Sequence, residues 1–136
     1  MKQEIQLIFR LSETDGTEIY FETKGIIDQQ EEKTRLLFKE ELEGNTPTII
    51  EINPHIPRVI LKRLGEIRTY MEYQVNQVTQ AIMRTDFNYE LKMATYTTIL
   101  EIGTSSLRIV YQTENDKEEN RQHELYIEWH SEMNQK

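Results

Sequence analysis

The side chains with chemical reach in this chain are few, and two of them are the histidines of the HELYIEWH stretch, His123 and His130. Their spacing is seven, whereas the zinc-protease helix motif sets two histidines four apart around a catalytic glutamate. On a strand, side chains alternate between faces, so an offset of seven turns the two rings apart and leaves no joint metal site. His123 shares parity with Leu125, Ile127 and Trp129, which points it inward or sets it at the strand's mouth. His55 falls in a loop bounded by Pro54 and Pro57, an exposed position. Arg63 shares parity with Val59 and Leu61. On an interior face its guanidinium needs a carboxylate or a ligand anion, because an unpaired buried charge is very costly. Tyr89 and Tyr111 also lie on apolar-parity faces, where phenols fill a core or offer hydroxyls to a polar guest. Arg63, Tyr89, Tyr111, His123 and Trp129 are therefore the candidate ligand contacts.

Other chemistry is missing. The chain has no glycine-rich dinucleotide or phosphate loop, no Gly-x-Ser-x-Gly and no calcium-loop pattern, so no cofactor is expected. The four serines, Ser12, Ser105, Ser106 and Ser131, fall in or near turns or the terminus and make poor nucleophiles. Cysteine is absent, which removes disulfides, thiol catalysis and cysteine-bound zinc and suits a reducing compartment. The net charge of −8 comes from 20 Glu and 4 Asp scattered along the chain. That balance argues against nucleic acid as a partner. Lys62, Arg63 and Arg68, with Glu66 among them, form the one local basic cluster. The first residues, Met1-Lys2-Gln3-Glu4-Ile5, open no apolar run of signal length, and charges interrupt every apolar run. The expectation is a cytoplasmic protein without a membrane segment.

The elements that must position these side chains are strands. Ile5, Leu7, Phe9 and Leu11 alternate, and Asp15-Gly16 follows as a hairpin signal. A second strand runs from about Thr17 to Gln29 with Gly25 at a bulge or bend. Further strands are expected over Lys33–Glu41, Thr46–Asn53 and Arg58–Leu64, with turns at Glu43-Gly44-Asn45 and Pro54–Pro57. Glu66–Gln74 follows Gly65 as a separate strand or the second half of a bent one. Val75, Val78, Ala81 and Ile82 recur at helical spacing, so 75–84 reads as a short helix, with a strand as the alternative. Alternation resumes at Phe87, Tyr89, Leu91 and Met93, then through Thr95–Ile102 and Leu107, Ile109 and Tyr111. The polar stretch Gln112–Arg121 reads as a solvated hairpin loop before a closing strand.

Several stretches together resemble the YwiB-like family of small bacterial proteins. They are Phe21-Glu22-Thr23-Lys24-Gly25, the run Val59–Gly65, Phe87-x-x-Glu90-Leu91, and the closing pair Leu107–Tyr111 and Leu125–Trp129. The likeness spans essentially the whole chain, and it rests on the order and spacing of these stretches. It implies a calycin-type, lipocalin-like β-barrel and no established activity. Asn88 stands where the family's sequences place a glycine. The lipocalins' Gly-x-Trp signature near the first strand is absent, because Trp129 is the only tryptophan.

The fold expected is all-β: one domain over 1–136, an antiparallel up-and-down barrel of about eight to ten strands. The function expected is a non-enzymatic binder of a small, partly apolar ligand, with a cavity above a few hundred Å³. The alternative is a packed barrel acting as an interaction module or homodimer through an exposed edge or the 74–86 segment. An enzyme built on Arg63 with a nearby glutamate or His123 stands third.

Overall fold

Alternation of apolar and polar residues runs through nearly every strand of the computed structural model, which describes residues 2–40, 45–85, 87, 89–116 and 118–131. Ten strands follow one another: β1 (Lys2–Glu13), β2 (Glu18–Gln29), β3 (Thr34–Glu40), β4 (Thr46–Asn53) and β5 (Arg58–Leu64), then β6 (Arg68–Tyr73), β7 (Val78–Arg84), β8 (Glu90–Ile102), β9 (Ser106–Thr113) and β10 (His123–Ser131). Each pairs antiparallel with its sequence neighbours, and β1 pairs with β10 to close the barrel. No helix among the described residues is long and apolar enough to cross a membrane.

Closure sends one parity of each strand inward, save in β8, where the inward parity changes partway along. Ile5, Leu7 and Phe9 of β1 meet Leu125, Ile127 and Trp129 of β10, and the ring continues through Leu36, Ile50, Val59, Leu107 and Ile109, all buried. A ten-strand ring is wider than the eight-strand barrel that side chains just fill. Large rings take up the difference: Phe9 stacks on Phe21 with centroids 4.7 Å apart, and Phe38 tilts against both at 6.3 Å.

Two devices bend the wall. In β8 the register against β9 slips between Thr97 and Ile99, a bulge that switches which parity faces in. In β2, Gly25 is opposite Phe38, and a Cβ there would lie 2.6 Å from the Leu37 carbonyl oxygen. Pairing of β2 with β3 covers Gly25–Gln29, so the first half of β2 is held by β1 and diverges from β3.

The helix expected over 75–84 is a strand. Thr79 and Ala81 point inward and are buried, whereas Val78 and Ile82 face outward against solvent and β8. The helical spacing joined side chains from both faces of one strand. Asn76, in the left-handed region at φ 64°, turns the chain just before it. Gly65 separates two strands, β5 and β6, and does not bend one. The turn expected at 43–45 falls partly outside the described residues, as do Asn88 and the last residue of the strand expected over 33–41.

Gly25→Ala forces the β2–β3 pairing to shift because the contact is with backbone. It should cost about 1–3 kcal/mol, seen as a lower urea midpoint with an unchanged slope.

Candidate functional site

The C-terminal ends of β1, β3, β5, β7 and β9 lie at one end of the barrel. The interior becomes polar at this end because four inward rows finish on a polar residue: Glu13 of β1, Glu40 of β3, Arg63 of β5 and His123 of β10. The divergence of β2 from β3 opens the wall beside them. Inside lies a cavity of about 150 Å³, walled by Leu11, Leu61, Met71 and Leu125, with Glu40 and Arg63 on one side and Tyr73 and Tyr111 on the other.

The first polar group spans three neighbouring strands. Arg63 Nε is 2.9 Å from Glu40 Oε2, and the Thr48 hydroxyl donates to the same oxygen at 2.9 Å. Thr48 and Arg63 are register partners, so β4 and β5 deliver both groups to the carboxylate of β3. Glu40 is buried. Such a pair adds little net stability after desolvation, yet losing either partner strands the other charge.

The second group is a chain of rings. Tyr73 meets Tyr111 edge-on with centroids 4.8 Å apart, and Tyr111 stacks on His123 at 5.0 Å. Burial pushes the Tyr73 phenol well above its ordinary pKa. Burial likewise pushes Tyr111 up to about 12, opposed by the neighbouring Tyr73 hydroxyl and with help from the charges of Asp116 and Glu13. Both phenols are therefore neutral at physiological pH. His123 Nε2–H donates to Asp116 Oδ2 at 2.8 Å, and its Nδ1 lies 3.6 Å from Glu13 Oε2.

Asp116 ends a short 3-10 turn, Glu114–Asp116, in the β9–β10 loop. Its Oδ2 also accepts from the Thr113 backbone N–H at 2.9 Å and the Thr113 hydroxyl at 2.8 Å. Burial raises its pKa, but the Thr113 donors and His123 outweigh that and hold the carboxyl below its ordinary value. Arg121 Nη1 approaches Oδ1 at 3.8 Å.

Of the five expected contacts, Arg63 and Tyr111 line the cavity and His123 backs it through the ring stack. Tyr89 does not join them: β8 begins at Glu90, so Tyr89 sits in the preceding turn with 66% of its surface exposed. Trp129 is buried, but β10 carries it toward the opposite end, where its backbone N–H donates to the Ser105 carbonyl. His130 faces outward and binds Glu128 at 2.9 Å, so the two histidines do point apart. Tyr73, Glu40 and Asp116 are the unforeseen members. Tyr73 shared parity with Met71 and could have been found. Asp116, in a wholly polar loop, carried no sequence signal of burial.

Chemically the site offers two neutral phenols, an arginine already balanced by a carboxylate, and a histidine whose one hydrogen bond among the described residues is to Asp116. Among those residues no group of three or more His, Asp or Glu is placed to hold a metal.

Comparison with known proteins identifies the family and the fold. The family model of a domain of unknown function, DUF1934, matches residues 5–127. No curated protein matches the sequence. The crystal structure of the ywiB protein from Bacillus subtilis superimposes with a TM-score of 0.78 at 20% identity, over 96% of this chain and 92% of that one. The likeness is one of fold.

Asp116→Asn should cost about 1.5–3 kcal/mol at neutral pH, the worth of hydrogen bonds to a charged group. A carboxyl depressed in the folded state stabilises above its unfolded pKa and loses that contribution as pH falls through the folded one. Urea midpoints of the two proteins should thus converge below about pH 4.

Proposed function

We propose that this chain, which belongs to the DUF1934 family, a domain of unknown function, is a non-enzymatic binder of a small, partly apolar molecule held in the mouth of the barrel. The observation that carries this reading is the cavity of about 150 Å³ at the one end where polar interior groups converge. Its volume falls short of the few hundred Å³ expected from the sequence for such a binder. Of the five expected contacts only Arg63 and Tyr111 line it, so the guest must be smaller. A cavity near 150 Å³ lined by aliphatic side chains is known to take a benzene-sized molecule. The enclosed part of the ligand is therefore a single ring or short branched chain, seated between Leu61, Met71 and Leu125. Any polar head lies toward Arg63, Glu40 and the Tyr111 phenol.

The non-enzymatic reading is supported by how fully the reactive groups are committed. Arg63 is balanced by Glu40, the phenols stay protonated, and His123 is tied to Asp116. A cysteine-free chain supports a cytoplasmic setting.

The test is a native mass spectrum of the untagged protein, followed by NMR titration with benzene, phenol and benzoate. An excess mass lost on denaturation, or saturable shifts at Leu61, Met71 and Tyr111, is the expected result. Met71→Trp fills the cavity and should abolish both while leaving the circular dichroism unchanged. A clean apo mass with no shift from any of the three probes overturns the reading.

A further inference from the structure

The outer wall carries a second feature, independent of the cavity. Register partners place Ile26 of β2 beside Leu37 of β3 and Leu37 beside Ile49 of β4. The same row continues through Lys62, Tyr70, Ile82 and Lys92 of β5 to β8. Ile26, Leu37, Ile49 and Leu64 line a groove of about 900 Å³ whose rims carry Lys24 and Lys39, with Glu4 the one carboxylate among its lining residues. Leu64 is 49% and Ile26 42% exposed, a large solvent contact for branched aliphatic residues on a sheet exterior.

Charge says what covers it. Lys24, Lys39, Lys62 and Arg68, on the strands that form and flank the groove, are exposed on a protein of net charge −8, while Arg84 and Lys92 lie farther round the barrel on β7 and β8. Arg84 and Lys92 share Glu90, but Lys39, Lys62 and Arg68 have no carboxylate partner among the described residues. The opposite side, over β1, β9 and β10, is arranged differently. There Arg10 pairs with Glu18, and Arg108 lies between Glu101 and Glu124.

We infer that this groove docks an acidic, amphipathic segment of another polypeptide, its apolar side chains on Ile26, Leu37, Ile49 and Leu64 and its carboxylates against the basic rim. The groove from β2 to β5 spans about 14 Å at ordinary strand spacing, close to three turns of helix. A nucleic acid fits less well, because the floor is aliphatic and offers no aromatic platform for base stacking. A bilayer fits less well too, since the apolar side chains line a groove between lysines and do not project from the surface.

The test uses a labelled synthetic helix with leucine at positions i, i+3, i+4 and i+7 and glutamate elsewhere, read by fluorescence anisotropy. Control peptides carry lysine for glutamate, or serine for leucine. The glutamate–leucine peptide should bind, and its affinity should fall about tenfold or more in the K39E/K62E variant, in I49S, and at high salt. Both control peptides should fail. All three substitutions are on the outer wall, so circular dichroism and the urea midpoint should stay close to the parent's. The inference is overturned if the glutamate–leucine peptide does not bind, if the lysine peptide binds equally, or if K39E/K62E binds as the parent does. It is also overturned if a labelled oligonucleotide binds this face more tightly. Self-association in sedimentation velocity that K39E/K62E abolishes would assign the face to a second copy and overturn it likewise.

Discussion

Everything in this molecule depends on the pairing of β1 with β10. Nine residue pairs, from Ile5–Ser131 to Glu13–His123, join the two ends of the sequence and turn a ten-strand meander into a closed wall. Without closure the two outer strands would each leave a row of backbone N–H and C=O groups to solvent or to another chain. With it, a single parity choice runs around the barrel, because a one-residue slip anywhere would send that strand's apolar set outside. The same pairing sets His123 opposite Glu13. Paired with β9 on its other side, β10 also brings the ring against Tyr111. The polar end of the interior is thus a product of the closure that buries the apolar rest.

The wall is not equally tight along its length. Gly25 permits close approach to β3 at one point, and beyond it β2 and β3 part company. The Glu40–Thr48–Arg63 network sits beside that parting and ties β3, β4 and β5 together where β3 has lost its other neighbour. Its net contribution to stability is small by the usual balance of Coulomb gain against desolvation. Its geometric role is larger, because it fixes the position of the cavity's polar side. The His123–Asp116–Thr113 group does the same for the far side by holding the β9–β10 loop against the barrel end.

Strand existence was legible in the sequence because period-two alternation survives in nearly every strand, as in Ile5-Leu7-Phe9 and Leu125-Ile127-Trp129. Facing was legible too: it set His123 and His130 apart and named an internal ion pair as one fate of Arg63. The failures share one cause, which is that a single chain does not display its cross-strand neighbours. Segment 75–84 looked helical because Val78 and Ile82, outward residues, were counted with inward Ala81. Trp129 was grouped with His123 by parity, although the two inward positions between them, Leu125 and Ile127, carry β10 from one end of the barrel toward the other. Asp116 lies in a loop of polar residues, and only the docking of that loop against Thr113 and His123 buries it.

The basic groove face was hidden for the same reason, and it shows how far net charge can mislead. Lys24, Lys39 and Lys62 are widely spaced in sequence, and only Lys62, Arg63 and Arg68 looked like a cluster. Strand register gathers the scattered lysines while Arg63 turns inward to Glu40 at the barrel mouth. A total of −8 describes the field far from the protein, where long-range repulsion slows the approach of any polyanion. At physiological salt that field decays within about 8 Å. A short acidic segment already at the groove therefore responds to the lysines beside it more than to glutamates across the barrel. Overall charge disfavours long polyanions, and the local patch still accepts a short one that brings apolar side chains to the floor.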